Sequence, residues 1–286
     1  MHTAKRHKRI NRSPVVTAVL FILVLAFGIV MALPLLLIIS NSLKPVDELW
    51  IFPPKFFPLS PTLDNFRDMK EVMSSSLVPF TRYFFNTIML TVAGSAGHII
   101  LASMCAFVIA KKRFPGRMLL FTVIEMSLMF NGTVTAIPNY LILSKFSWID
   151  TYLAILVPAF GASLGLYLMK QFMEQIPDSL LEAARIDGAS QWRIFWRIVM
   201  PNVKSAWLTL LLLQVQTLWN MGSSNFIYSE ELKTLGYALN QILSGGIARA
   251  GVGYAVSVFM MLVPITVFLL TQSNVIETMA TSGMKE

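Results

Sequence analysis

The sequence predicts an all-α membrane protein of six transmembrane helices with both termini in the cytoplasm. Of its 286 residues 55% are hydrophobic and 13% charged, against about 25% charge in an ordinary soluble domain. A spanning helix needs about 20 mostly apolar residues, and the chain offers six such runs: Val15–Ile39, Tyr83–Ala110, Met118–Ile137, Tyr152–Phe172, Ala206–Phe226 and Val252–Thr271. The third observation is the distribution of positive charge, which sets orientation. With the N-terminus inside, segments 1–14, 111–117, 170–205 and 272–286 carry 15 of the 23 Lys and Arg residues, and the outside segments 40–82, 138–151 and 227–251 carry 8.

Taken in order, residues 1–14 are a basic cytoplasmic tail. The run at 15–39 is too long for a signal peptide and lacks a small-x-small cleavage site, so it is a retained first span. Segment 40–82, which contains "SNSLKPVDELWIFPPKFFPLSPTLDNF", is rich in Pro and aromatics and is expected to be irregular, lying along the membrane surface. Residues 83–272 form a five-helix core with a polar loop at 173–205, and 273–286 are a cytoplasmic tail.

Several function classes are excluded. The net charge of +8 is spread over loops facing anionic lipid, which is not the basic face of a nucleic-acid-binding domain. Cys105 is alone and inside an apolar run, so no disulfide framework or cysteine metal site can form. His2 and His7 lie in the tail and His98 in a span, so no metal set is recognisable. No G-x-x-x-x-G-K-[ST] phosphate loop occurs, and no Ser/His/Asp arrangement can be argued. The chain is not expected to be an enzyme, and any driving energy must come from a partner.

The loop 173–205 contains "EAARIDGASQWRIFWRIVMP". Ser179 with Glu182 three positions on fits a capping box, and Gly188 stands where a left-handed C-cap is usual. A second helix carries Trp192, Phe195, Trp196 and Val199 at i, i+3, i+4, i+7 spacing. Pro201 is expected to end it. Ala183 and Ala184 keep one side of the first helix narrow, as entry into a partner's groove would require. On spacing alone, an interfacial loop anchored to headgroups by its Trp and Arg residues explains the same pattern.

Glu182-Ala183-Ala184, Gly188, Ile198 and Pro201 together resemble the EAA signature of the membrane subunits of bacterial ABC importers, with Met200 where that family usually has Leu. "IPDSLLEAARIDGAS", "NSLK" at Asn41–Lys44 and "WN" at Trp219–Asn220 are similar to the second-subunit branch of the maltose-type carbohydrate importers. The resemblance runs from about Ser40 to the C-terminus. It implies the type I importer permease fold in a bacterial cell membrane, with the loop docking into a separate ATPase subunit. ATP and Mg would be bound by that ATPase dimer, with no cofactor in this chain. It also implies a homologous second permease subunit, an extracellular or periplasmic solute-binding protein, and a sugar or oligosaccharide substrate. A non-carbohydrate solute is the rival within this class. A secondary transporter is the rival outside it, though such carriers need more coupling carboxylates and often show inverted repeats.

Polar groups inside spans are costly and are functional candidates. Glu125 can contact a sugar hydroxyl or gate, or pair with a neighbouring span or His98. Gln214, Gln216, Trp219 and Asn220 offer the amides and aromatic face of a sugar site, or the glue that joins helices. Asn131 and Asn139 flank the outer end of the third span. Pro138, Pro158 and Pro264 can kink spans where neighbours re-satisfy the freed carbonyls. The segment Tyr228–Gly251 is longer than a tight connection needs and carries Leu235, Leu239 and Ile242 at helical spacing. The resemblance assigns its tip to the binding protein, while the apolar stripe equally suits a cap lying on the membrane.

Overall fold

Each apolar run is carried mainly by helix among the described residues, since in lipid every backbone polar group must be satisfied within its own segment. The computed structural model describes residues 14–74, 78–130, 132–222, 226–246 and 249–282, and no strand occurs among them. In order come α1 (Pro14–Ser42), α2 (Val46–Leu49), α3 (Asp64–Ser74), α4 (Phe80–Lys111), α5 (Arg117–Ser127), α6 (Gly132–Lys145), α7 (Leu153–Phe160) and α8 (Ser163–Glu174). Then follow α9 (Asp178–Ile186), α10 (Gln191–Ile194), a π-helical turn at Phe195–Val199, α11 (Met200–Asn202), α12 (Lys204–Trp219), a 3₁₀ turn at Glu230–Leu232, α13 (Leu235–Leu243) and α14 (Ala250–Ser282). The basic tail and Asn131 lie outside the described residues.

Four stretches are long and apolar enough to cross a bilayer alone, and the number rises to six if two bent pairs each count as one span. The third expected span is such a pair, α5 and α6 meeting at 115°. The fifth is not one straight run to Phe226: α12 stops at Trp219 and meets the stretch Gln191–Asn202 at 78°. The break falls at Val203, with φ −106° and ψ 28°. Pro201 thus lies one residue before the end of its helical stretch at Asn202, where the sequence leads one to expect the end. It sits in the first turn of α11, where a missing N–H costs little.

The fourth span, α7 with α8, breaks at Gly161 just after Pro158, leaving carbonyls at the end of α7 without helical partners. Two neighbouring spans supply donors. His98 of α4 gives its Nδ1 proton to the Phe160 carbonyl at 3.0 Å, and Gln214 of α12 donates from Nε2 to the Ala159 carbonyl at 3.2 Å. A carbonyl only accepts, so the His98 proton must be on Nδ1. Close approach of α4 and α8 requires glycine at 165, where a Cβ would stand 2.1 Å from the His98 ring.

At the start of α4, segment 40–82 folds against the bundle. In the NSLK stretch Lys44 donates from Nζ to Asn41 Oδ1 at 2.8 Å, and Asn65, buried at the start of α3, donates to the carbonyls of Ser42 and Lys44. At the same end Asn86 of α4 donates to the Glu231 and Lys233 carbonyls. Helix α13 buries Leu235, Ala238 and Ile242 in a cluster with Trp219, Val252 and Val256, so the expected helical stripe faces the protein.

Candidate functional site

The loop after α8 forms at the other end of α4, and lysines at that end hold both of its helices. Lys111 donates to the Ile176 carbonyl at 2.5 Å and to Asp178 Oδ1 at 2.9 Å, and Lys112 donates to Gln191 Oε1 at 2.7 Å. The Lys111 ammonium holds the Asp178 carboxyl below its ordinary range, first through the hydrogen bond and then through its charge. In the sequence these lysines count only as basic residues after a span. That they brace the loop is visible only once α9 is placed beside them.

Helix α9 begins at Asp178 with Pro177 as N-cap and no side-chain cap. The expected capping box is thus absent: Ser179 is already inside the helix, because Pro177 ends the preceding extended residues and Asp178 opens the first turn. The C-terminus matches expectation. Gly188 has φ +77°, its N–H donates to the Arg185 carbonyl at 3.0 Å, and the Ala189 N–H donates to the Ala184 carbonyl at 2.9 Å. These two bonds make a Schellman motif.

Leu181 and Ala184 are buried in the main core cluster with Ile194, Phe195 and Val199, so α9 and the second helix share one hydrophobic seat. Glu182 and Ala183 point away from it and are exposed. Ile186, one turn on, is 86% exposed. It went unnoticed in the sequence because an Ile at helical spacing reads as core. Ser190 caps the second helix by accepting from the Arg193 N–H at 3.3 Å. The aromatic stripe divides: Phe195 is buried against Phe107 with ring centroids 5.6 Å apart, while Trp192 and Trp196 are 60% and 45% exposed. Ile198 is half-buried and Pro201 exposed.

Within the membrane the candidate polar residues are not one group. Gln214 is 7% exposed and turned towards α7. Trp219 is buried, donating from Nε1 to the Met260 carbonyl at 2.8 Å, with Phe84 edge-on to its ring at 6.4 Å. Its faces are occupied by protein. Gln216 and Asn220 are exposed and joined by an Asn220 Nδ2 bond to the Gln216 carbonyl at 2.9 Å. Glu125 is exposed on α5 and makes no pair with His98.

A cavity of about 580 Å³ opens between α6, α7 and α12, lined among others by Thr135, Asn139, Pro158, Gln214, Thr217 and Phe226. Just after Phe226 in the chain, Tyr228 and Ser229 donate their N–H groups to the Asp150 carboxylate at 2.9 and 2.8 Å, and the Ser229 hydroxyl donates to it as well. The Ser229 hydroxyl bond first, then these N–H groups, hold Asp150 below the usual carboxylate range. A second, apolar groove of about 610 Å³ runs between α4, α12 and α14, reaching Trp196 and Trp207.

A bundle of apolar helices, one of them broken beside a polar cavity, with a braced two-helix projection at one end, defines a membrane permease component. Residues 98–279 match the family of binding-protein-dependent transport system inner membrane components, and the chain belongs to that family. It is 34% identical over 198 residues to protein LplC of Bacillus subtilis (strain 168), a stretch covering 68% of this chain and 63% of LplC. It is 26% identical over 258 residues to the arabinooligosaccharides transport system permease protein AraQ of the same strain, covering 88% and 90% of the two chains. Its fold is that of a chain in the crystal structure of a bacterial ABC transporter involved in the import of the acidic polysaccharide alginate. That likeness has a TM-score of 0.76 at 24% identity, over 93% of this chain and 98% of the other.

Proposed function

We propose that this chain is the transmembrane permease subunit of an ATP-driven importer of a sugar or oligosaccharide, forming half of the translocation pathway. The α9 end faces the cytoplasm, as the excess of Lys and Arg in its segments favours. Both termini are on that side. Helix α9 enters a cleft on a separate ATPase subunit, and ATP and Mg reside in an ATPase dimer. A homologous permease subunit supplies the other half of the pathway, and a solute-binding protein docks at the opposite end, over α13.

The observation that carries the coupling role is the exposed face of α9. Glu182, Ala183 and Ile186 turn away from the core while Leu181 and Ala184 lock the helix into it. A helix with an apolar tip in water, braced by lysines to a long membrane helix, is shaped to transmit displacement. When the ATPases close, motion of α9 passes to α4 through Lys111 and to α12 through the shared core. Relatives named for arabinooligosaccharides and for polygalacturonan/rhamnogalacturonan support the carbohydrate. A non-carbohydrate solute is the second reading, favoured by 32% identity over 148 residues to the sn-glycerol-3-phosphate permease protein UgpE of Yersinia enterocolitica.

The test is purification in mild detergent with uptake measured in parallel. An ATPase should copurify with this chain, and uptake should stop when that ATPase is removed. Transport that persists without it overturns the reading. A ligand screen on the cognate binding protein identifies the solute.

A further inference from the structure

We infer that the cavity between α6, α7 and α12 is a contact site for a neutral, polyhydroxylated sugar unit and selects against charged ones. The inference rests on the proposed function and adds to it the charge class of the substrate. A volume of about 580 Å³ lies within the usual range for small-molecule sites, about 300–1,000 Å³.

Among the described residues lining the cavity none is Asp, Glu, Lys, Arg or His. The polar groups there are neutral hydroxyls and amides, and the amides of Asn139 and Gln214 offer donors as well as acceptors. Thr135 and Thr217 give their hydroxyl protons to the Gly132 and Leu213 carbonyls, so each hydroxyl oxygen faces the space with lone pairs only. Gln214 is nine-tenths buried and spends an Nε2 proton on the Ala159 carbonyl, while its Oε1 accepts no hydrogen bond from the described residues. Asn139 is half-buried on the wall and forms no hydrogen bond with them.

Sugar hydroxyls are donors that suit such a lining, and Phe226 with Pro158 offers apolar surface for the C–H face of a ring. A carboxylate or phosphate would lose its hydration here with no countercharge among the described lining residues to offset the loss. The lining therefore departs in character from what an acidic polysaccharide needs.

Asn139 makes the sharpest test, because Asn139→Leu keeps the branched shape and removes no hydrogen bond to the described residues. The assembled importer, with its partner subunits and binding protein, would be assayed in cells for uptake of labelled maltose, cellobiose, arabinobiose and digalacturonate. The wild type should take up at least one neutral disaccharide, and digalacturonate at least about tenfold more slowly. Asn139→Leu should raise the KM for the neutral sugar by about tenfold, as expected for losing one or two hydrogen bonds to the ligand. Assembly and basal ATP hydrolysis should be unchanged. Thr217→Val, which costs only a hydroxyl already bonded to its own helix, should act in the same direction and guard against misfolding of the first variant. Uptake of digalacturonate matching that of the neutral sugars, or a wild-type KM in both variants, overturns the cavity assignment and leaves the importer reading intact. A wild-type complex that moves none of the sugars but imports another solute overturns both.

Discussion

At Gly188 nothing lies within 4 Å of an added Cβ, so Gly188→Ala meets no clash. Its cost is conformational, about 1–2 kcal/mol for placing a Cβ in the left-handed region. A lower melting temperature of the complex, with uptake reduced because the second helix tilts, is the expected result. Glu182 caps nothing and is exposed. Glu182→Ala should shift stability by no more than about 0.5 kcal/mol, as surface changes do, while lowering both uptake and transport-coupled ATP hydrolysis. Wild-type values for both would remove Glu182 from the joint. Asp150 carries a pH prediction. Its folded pKa is depressed, so its contribution to stability is complete above the unfolded value of about 3.9 and fades as pH falls through the lower folded value. Amide protection factors at Tyr228 and Ser229, taken relative to the intrinsic exchange rate at each pH, should hold down to about pH 4 and fall below it, and Asp150→Asn should lower them at neutral pH. Residues differ in how far the sequence reveals them. Gly188 is legible because a glycine after the last periodic residue has one usual meaning. Trp219 is not, since an intramembrane indole serves a sugar or a backbone carbonyl equally well, and only the register of α14 brings the Met260 carbonyl to it.

Among the elements, α9 is the one whose two faces have different duties. Ile186→Asp should leave the fold intact, because the residue is 86% exposed, yet abolish ATPase copurification by placing a charge at an apolar contact. Retained copurification would mean that the tip of α9 lies outside the interface. The positions of the long helices are legible from hydrophobicity. Their breaks are less so, because Pro138 and Pro264 stay inside continuous helices while Pro158 precedes a break. The Pro158 and Pro264 sites both have tertiary support that no local pattern announces: His98 and Gln214 take carbonyls at the break after Pro158, and Trp219 takes the Met260 carbonyl that Pro264, four residues on, leaves free. Likewise, the bend between α11 and α12 has no Gly to mark it. The outer helix α13 is visible as a stripe, but whether that stripe faced lipid or protein was decided by packing against α14.

At the scale of the whole molecule, α1 buries none of its apolar window, and the groove between α4, α12 and α14 is likewise uncovered. Much of the isolated chain is therefore surface that lipid or another subunit must cover. The second helix of the loop runs on towards α12 through one five-residue π-helical turn, Phe195–Val199. Such a turn is equivalent to an α-helix that has received one additional residue. It acts as slack in the helical phase: each residue of an α-helix advances the azimuth by about 100°, and the wider turn takes up the extra residue before the bend at Val203. Deleting one residue within 195–199 should therefore restore α-helical spacing and leave the flanks nearly in phase, whereas adding one alanine in the first turn of α12 should rotate everything beyond it by about 100°. Gln214 would then swing away from the Ala159 carbonyl and the cavity wall while α9 stayed in place. Such an insertion variant should bind its ATPase and hydrolyse ATP without import, a decoupling of the two ends that the deletion should not reproduce.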